Sequence, residues 1–373
     1  MSDENQSVND QRHRIGDEFN RPVDPLEQYN ENFVQMEADG VEPFEMFLDD
    51  IIRDGYRMDS TVDEYERAIR HFKEYLIQQG RHPACANDTL VVGFAEYEFQ
   101  HRDNQADTAK TKLTYVNKAY QYFQNENVFP HTSEYSPIDS AWDKITWPEA
   151  EDQEYPKVTR EEMRTAVADI THVFKLAVIL MGLKLGMRQG EIRNVKLKDI
   201  HMENTELQSH YPELGTHRRL GEWKNAIFIP AAYNRPGNKS DRPRILPLDE
   251  EMRRVLTQYL LIRPDCGEPW VFLSQTHHER ILDKDGINRH WREQIRPYIH
   301  AEEYEKELTS HFGRHWFSTF WKMENPIGKE YVQYMRGDKI GDGQEGDTID
   351  EYLHAYYPDI EDQYRNEIYR LLQ

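Results

Sequence analysis

The chain has 373 residues, with 46 Lys and Arg against 68 Asp and Glu, for a net charge of −22. That length is more than one typical domain needs and suits two, each with its own core. Two cysteines, Cys85 and Cys266, exclude a disulfide framework and a thiolate metal site, and a reducing interior is the expected compartment.

The longest apolar stretch, Val173 to Met187, is interrupted by Lys175 and Lys184 and is too short and too charged to span a membrane. Met1-Ser2-Asp3-Glu4 does not read as the start of a signal peptide, so a cytoplasmic protein with no membrane partner is expected. Taken alone, the acidity argues against a nucleic-acid partner, which usually selects a basic surface. The acids are dispersed through every region, however, as in proteins that stay hydrated in the very salty cytoplasm of haloarchaea, and net charge speaks to solvation rather than fold. A halophilic protein is the expected reading.

Residues 1–40 hold ten acids, three arginines and no lysine, and are expected to form an acidic, disordered tail. Residues 41–129 read as a small all-α domain. Pro43 to Asp54 patterns as one short amphipathic helix. Thr61-Val62-Asp63-Glu64 reads as a capping box, followed by Tyr65, Ile69, Phe72 and Leu76 at helical spacing and closed by Gly80. Further helices are expected from Leu90 to His101 and from Asp107 to Asn125. The last carries Lys110, Lys112 and Lys118 among Tyr115, Tyr120 and Tyr122. That face reads either as a DNA-backbone contact or as a solvated surface with its tyrosines packed inward. Residues 130–158, rich in proline and acids, read as a linker.

From residue 159 to 373 the pattern mixes helices with a few strands, so the fold class is mainly α with a small β-sheet, in two domains. Thr159 caps a helix, Phe174 to Leu185 is a core helix, and Glu191 starts another. Ala226 to Ile229 and Arg244 to Leu248 read as paired strands around a turn-rich segment that carries Lys239. Helices are expected at Glu250 to Ile262, Ile287 to Ile299, Thr309 to Trp321 and Lys329 to Met335, with a strand at Val271 to Leu273. After the Gly/Asp-rich loop from Gly337 to Asp347, two closing helices are expected near Asp350 to Tyr357 and Glu361 to Leu372. The second of these suits docking on a neighbouring copy.

Two basic sites carry the chemistry. Arg188 sits on a Gly-flanked turn after the core helix, and His311 and Arg314 lie three apart on one helix face. Guanidiniums donate paired hydrogen bonds to anionic oxygens and keep their charge, so this combination fits a phosphodiester. The 16 histidines show no paired spacing beyond His277-His278, and no metal is expected.

The segment Gly182 to Ile192, with Arg188 and Glu191, resembles the first arginine box of tyrosine recombinases of the phage-integrase family. Asn238 to Leu248, with Lys239, resembles the family's lysine hairpin, and His311-Phe312-Gly313-Arg314-His315 its H-x-x-R-H box. Thr348-Ile349-Asp350-Glu351-Tyr352-Leu353-His354 is similar to the segment around its nucleophilic tyrosine. The four boxes occur in the family's order. The resemblance implies a catalytic domain from 159 to the C-terminus behind a helical core-binding domain. It also implies Tyr352 as nucleophile, Arg188 and Arg314 on the scissile phosphate, Lys239 as general acid, and His311 on the phosphate or in proton transfer.

On that reading double-stranded DNA is cut and rejoined through a 3′-phosphotyrosyl link, with neither metal, ATP nor another cofactor, by a homotetramer on two sites. Tyr356 and Tyr357, one turn on, remain alternatives to Tyr352. The chain departs from the family in having Gly337-Asp338 where Gly-His is usual. Aspartate cannot donate to a phosphate and repels it, so Asp338 is expected to turn away, with Lys339 or His354 compensating. A catalytically silent DNA-binding relative and a type IB topoisomerase-like enzyme are the rival readings.

Overall fold

The computed structural model describes residues 11, 14–16, 18, 19, 21–55, 59–149, 155–278, 283–299, 308–340 and 349–372; at 59, 60, 284 and 349–355 it describes the backbone only. The chain divides into two compact units, Met1–Asp152 and Gln153–Gln373. No described helix is long and apolar enough to cross a membrane.

The first unit is helical: α1 (Asn30–Ala38), α2 (Pro43–Phe47), α3 (Asp59–Gln78), α4 (Asp88–His101), α5 (Ala106–Asn125) and α6 (Pro137–Trp142). Its core is aromatic. Phe44 meets Phe123 edge-on at 5.2 Å, Phe72 meets Phe94 at 5.2 Å, and Tyr65 stacks on Tyr115 at 4.1 Å.

Four expectations for this unit are corrected. Leu26 and Phe33 are buried in its core, so the acidic segment is structured from there on instead of forming a tail throughout 1–40. Pro43 to Asp54 is not one α-helix, because α2 passes into a π-helical turn over Leu48–Arg53. Helix α3 starts at Asp59, which leaves Thr61 inside the helix and unable to cap it. The supposed linker contains α6, capped by the Ser136 hydroxyl accepting from the Asp139 N–H at 3.1 Å, and it buries Ile138 and Ala141.

The second unit begins with α7 (Arg160–Ala168). Its capping box is the expected one: Thr159 Oγ1 accepts from Glu162 N at 3.2 Å, and Glu162 accepts from Thr159 N at 2.7 Å. Helix α8 (Val173–Leu185) is apolar on every side and nearly all buried, as a central helix must be. It is followed by α9 (Gln189–Arg193), β1 (Ile200–His201), α10 (Thr205–His210), β2 (Ala226–Ile229), β3 (Arg244–Pro247) and α11 (Glu250–Ile262). After these come α12 (Lys284–Gln294), α13 (Ser310–Thr319), α14 (Lys329–Arg336) and α15 (Ile349–Glu367).

The three strands form one antiparallel sheet in the order β1-β2-β3, with Ile227 opposite Leu246 and Ile229 opposite Arg244. Val271 to Leu273 is no strand. Leu273 is an isolated bridge residue, Trp270 just before the segment bridges Lys196, and Val271 N donates to Val195 O at 2.9 Å. The chain closes with one helix, not two, since Pro358 lies inside α15.

In the C-terminal segment Tyr364, Ile368, Tyr369 and Leu371 are buried in the core of their own unit. Tyr364 donates its hydroxyl to Lys184 O at 2.5 Å, and Tyr369 donates to Leu183 O. These are carbonyls of the last turn of α8, which that helix cannot satisfy itself.

Candidate active site

The two basic sites meet because α8 and α13 pack closely. A side chain at Gly313 would come within 2.6 Å of the Trp291 ring and 3.1 Å of the Gly182 backbone, so the missing Cβ sets the approach of the two helices. Arg314 follows Gly313 and is 2 % exposed, and it donates from Nη1 to Gly186 O at 2.8 Å, on the residue that caps α8. Arg188 caps α9 from the other side, with its backbone N–H held by Glu191 Oε2 at 2.8 Å.

Glu191 is the hub. Its buried carboxylate accepts from Arg244 Nη1 at 3.0 Å and Arg244 Nη2 at 2.8 Å, and from the Ser240 hydroxyl. Burial alone would raise its pKa, but Arg244 above all, then Arg314 and Arg188, hold it down at about 2. Ser240 Oγ also accepts from Arg188 Nη1 at 2.7 Å. Lys239, exposed beside Ser240, therefore rides on a hairpin whose next residue is fastened to Arg188. Asn238 anchors the other side of Lys239, donating to Pro230 O at 2.7 Å and accepting from Asn194 at 3.0 Å.

Helix α14 completes the cradle. The Tyr334 hydroxyl accepts from Ile245 N at 3.1 Å and donates to Ile245 O at 3.2 Å, which docks the helix on β3. The helix ends in a left-handed turn at Gly337, φ +69°, with Gly337 N bonded to Tyr334 O at 2.8 Å and Asp338 N to Gln333 O at 3.0 Å. A Cβ at Gly337 would lie 2.6 Å from Arg244 Nη1.

This turn brings Asp338 in, contrary to the expectation that it turns away. Asp338 Oδ1 accepts from Arg188 Nη2 at 2.7 Å and from Arg314 Nη2 at 2.8 Å, and Oδ2 lies 2.9 Å from Arg336 Nε. Burial raises its pKa, but Arg314, Arg336 and Arg188 outweigh that and lower it on balance. By itself an aspartate repels a phosphate, but in the folded chain its neighbours are three guanidiniums. Lys339 is exposed and does not replace it.

His311 lies on α13 one turn before Arg314, at the exposed edge of the cradle. Burial of its ring, then the field of Arg314, Arg188 and Arg336, pushes its pKa down, which favours neutral imidazole able to donate from one nitrogen and accept at the other. Tyr352 lies on α15, but its side chain and that of His354 lie outside the described residues, as does Thr348. Of the two alternative tyrosines, Tyr357 is buried against Trp223 at 4.6 Å, with its pKa pushed up by burial. Tyr356 stacks on Tyr334 at 5.1 Å.

In the first unit, one of the three lysines read as a DNA contact is something else. Lys112 is buried, with its ammonium paired to the fully buried Glu98 and 2.9 Å from His71 Nδ1. It neutralises a core carboxylate. Lys118 is exposed and donates to the Tyr65 hydroxyl at 2.8 Å, and Lys110 lies over the Trp147 ring at 5.2 Å.

Glu191, Ser240, Arg244 and Arg336 were not singled out from sequence. The first three sat inside quoted motifs, but what they bond depends on long-range packing. Among the described residues, no group of three His, Cys, Asp or Glu is placed to hold a metal ion.

No curated protein matches the chain in sequence. Among solved structures it is similar to the integrase of transposon Tn1549 in complex with transposon right end DNA, at 15% identity and TM-score 0.57, over 80% of this chain and 91% of that one. It is also similar to a lambda integrase in a tetramer bound to a Holliday junction, at 13% identity and TM-score 0.56, over 85% of this chain and 83% of the other. Residues 157–338, which hold Arg188, Lys239, His311 and Arg314, match the phage integrase family. The second unit thus carries a phage integrase family domain over residues 157–338.

Proposed function

We propose that the chain is a site-specific DNA recombinase that cuts and rejoins double-stranded DNA through a 3′-phosphotyrosyl intermediate. The observation that supports this best is the convergence of Arg188 Nη2 and Arg314 Nη2, at 2.7 and 2.8 Å, on a single oxyanion oxygen. Such a pair stabilises the charge that builds on the non-bridging oxygens as phosphorus becomes pentacoordinate, work that metal ions do in other nucleases.

The Tyr352 oxygen attacks phosphorus, and the P–O bond to the 5′ carbon's oxygen breaks. Lys239 protonates the leaving alkoxide, and His311 hydrogen-bonds a phosphate oxygen. The phosphotyrosyl link conserves the energy of the broken bond, so a 5′ hydroxyl of the partner duplex reseals it without ATP. A phenol of pKa about 10 attacks poorly until cations lower that value, and the arginines supply that field. Tyr352 is favoured over Tyr357, which the core holds. Four copies on two sites complete the exchange, with Lys110 and Lys118 on the DNA backbone, and the acidic chain works in a salty cytoplasm.

The test is a nicked suicide duplex in molar KCl. A covalent 3′ adduct that vanishes in Tyr352→Phe is expected, and an adduct that survives moves the nucleophile. Asp338 in the cradle favours one rival reading, a silent DNA-binding relative. No adduct from the wild type would establish that rival. Relaxation of supercoiled plasmid by a monomer would establish a topoisomerase instead.

A further inference from the structure

The oxyanion in the arginine cradle belongs to the protein itself. One oxygen of Asp338 takes hydrogen bonds from both Arg188 and Arg314, at 2.7 and 2.8 Å, and the other faces Arg336 Nε at 2.9 Å. Two guanidiniums converging on one anionic oxygen is also the arrangement a non-bridging phosphate oxygen takes. The carboxylate is held there by backbone: the Gly337 turn, the bond from Asp338 N to Gln333 O at 3.0 Å, and the docking of Tyr334 on β3. Its side chain is 27 % exposed and Arg314's 2 %, so solvent weakens this contact less than it would a surface pair.

A phosphate and this carboxylate cannot share the cradle. Both are anions, and the same donor hydrogens on Arg188 and Arg314 serve either one. Arg336, which belongs to none of the four boxes, holds the far oxygen of the carboxylate and gives it a partner when it withdraws.

We propose that Asp338 is a resident stand-in for the scissile phosphate, seated in the cradle of the free protein and displaced toward Arg336 when DNA enters. The displacement sets a threshold. A free oxyanion, with no other contacts, does not meet it, whereas a duplex held along the protein does. Asp338 is thus a specificity-determining residue that keeps phosphate and sulfate out of the site. The identity of the displacing group rests on the recombinase reading; the occupancy by Asp338 rests on geometry alone.

The experiment uses the full chain and two variants, Asp338→Asn and Asp338→His, with folding checked by circular dichroism. The first removes the charge at nearly constant shape, and the second replaces the acceptor by a donor. Binding of inorganic phosphate without DNA is measured by calorimetry. Phosphate affinity is expected to rise about ten- to hundredfold in either variant, the range for charge-assisted bonds made available to a new partner. The nicked duplex is then titrated. The concentration giving half-maximal adduct is expected to fall in Asp338→Asn, and inorganic phosphate to inhibit that variant but not the wild type.

Unchanged phosphate affinity in a folded variant overturns the proposal. So does a higher half-maximal duplex concentration, which marks Asp338 as a neutralising strut that keeps the arginines in place. If phosphate binds tighter but no form of the protein makes an adduct, the stand-in survives and the recombinase reading falls.

Discussion

Replacing Glu191 by glutamine tests how the site is held together. The carboxylate is fully enclosed, receives both terminal nitrogens of Arg244 at 3.0 and 2.8 Å, and lies 3.7 Å from Arg188 Nη1. Arg244 is 0 % exposed, so after the substitution its charge stays buried without a counter-ion, beside Arg188 and Arg314. Removing one partner of a buried pair costs about 3–5 kcal/mol. Linkage gives an independent figure. The folded-state pKa is depressed from 4.5 to about 2, which corresponds to about 3 kcal/mol at neutral pH.

The sign follows from the depression. This stability is fully present above pH 4.5 and is lost as pH falls toward 2. The assay is urea unfolding followed through the tryptophans of the second unit. The midpoint should drop at pH 7 with an unchanged m-value, and the variant should lose less stability than the wild type between pH 4.5 and 2. The double variant Glu191→Gln/Arg244→Met should cost less than Glu191→Gln alone, because it removes the stranded charge. A loss under about 1 kcal/mol with an unaltered acid profile would mean that water reaches the pair and that Glu191 is no hub.

Three further outcomes are expected. Gly337→Ala should destabilise the second unit by about 2–3 kcal/mol in the same unfolding assay, because φ is +69° and the new methyl meets Arg244 Nη1 at 2.6 Å. Arg188→Lys should slow adduct formation in single-turnover assays by about a hundredfold or more, since an ammonium cannot reach Ser240 and the phosphate at once as the planar fork does. Lys112→Met should leave the salt slope of DNA binding unchanged while lowering the thermal midpoint, and Lys118→Gln should reduce that slope by about one; the reverse pattern would restore Lys112 as a DNA contact.

Most elements were legible because their signals are local. The apolar run of α8, the Thr159 capping box and the short apolar runs of β2 and β3 need only near neighbours in sequence. Misreadings arose where distant contacts decide. Thr61 has the residues of a cap, but α3 extends two residues past it. Pro358 looks like a break, yet α15 continues through it, with Tyr364, Tyr369 and Arg365 fastening the chain to α8 and to the strand ends at Leu248 and Asn225. The acids of 1–40 suggested a tail, whereas Leu26 and Phe33, with Tyr29 and Met36 packed beside them, lay its later part onto the first core.

The site divides along the same line. Arg188, Lys239, His311 and Arg314 were found by residue type and order, which survive in sequence. What the chain does with them depends on charge balance in three dimensions, which does not. Asp338 shows the difference most sharply. Judged by its own chemistry it repels phosphate, and so it was expected to point away. Yet among the described residues the carboxylates paired with Arg188, Arg244, Arg314 and Arg336 are those of Glu191 and Asp338, and Glu191 is already committed to Arg244. A cradle with that surplus of buried and half-buried positive charge is unfavourable when empty, since desolvated like charges repel with little screening. In a chain of net charge −22, an aspartate two residues past Arg336 is the anion nearest to hand. The property that makes the cradle fit a phosphate also draws the carboxylate in, so the acidity that first argued against DNA is, at this one position, a consequence of a site built for it.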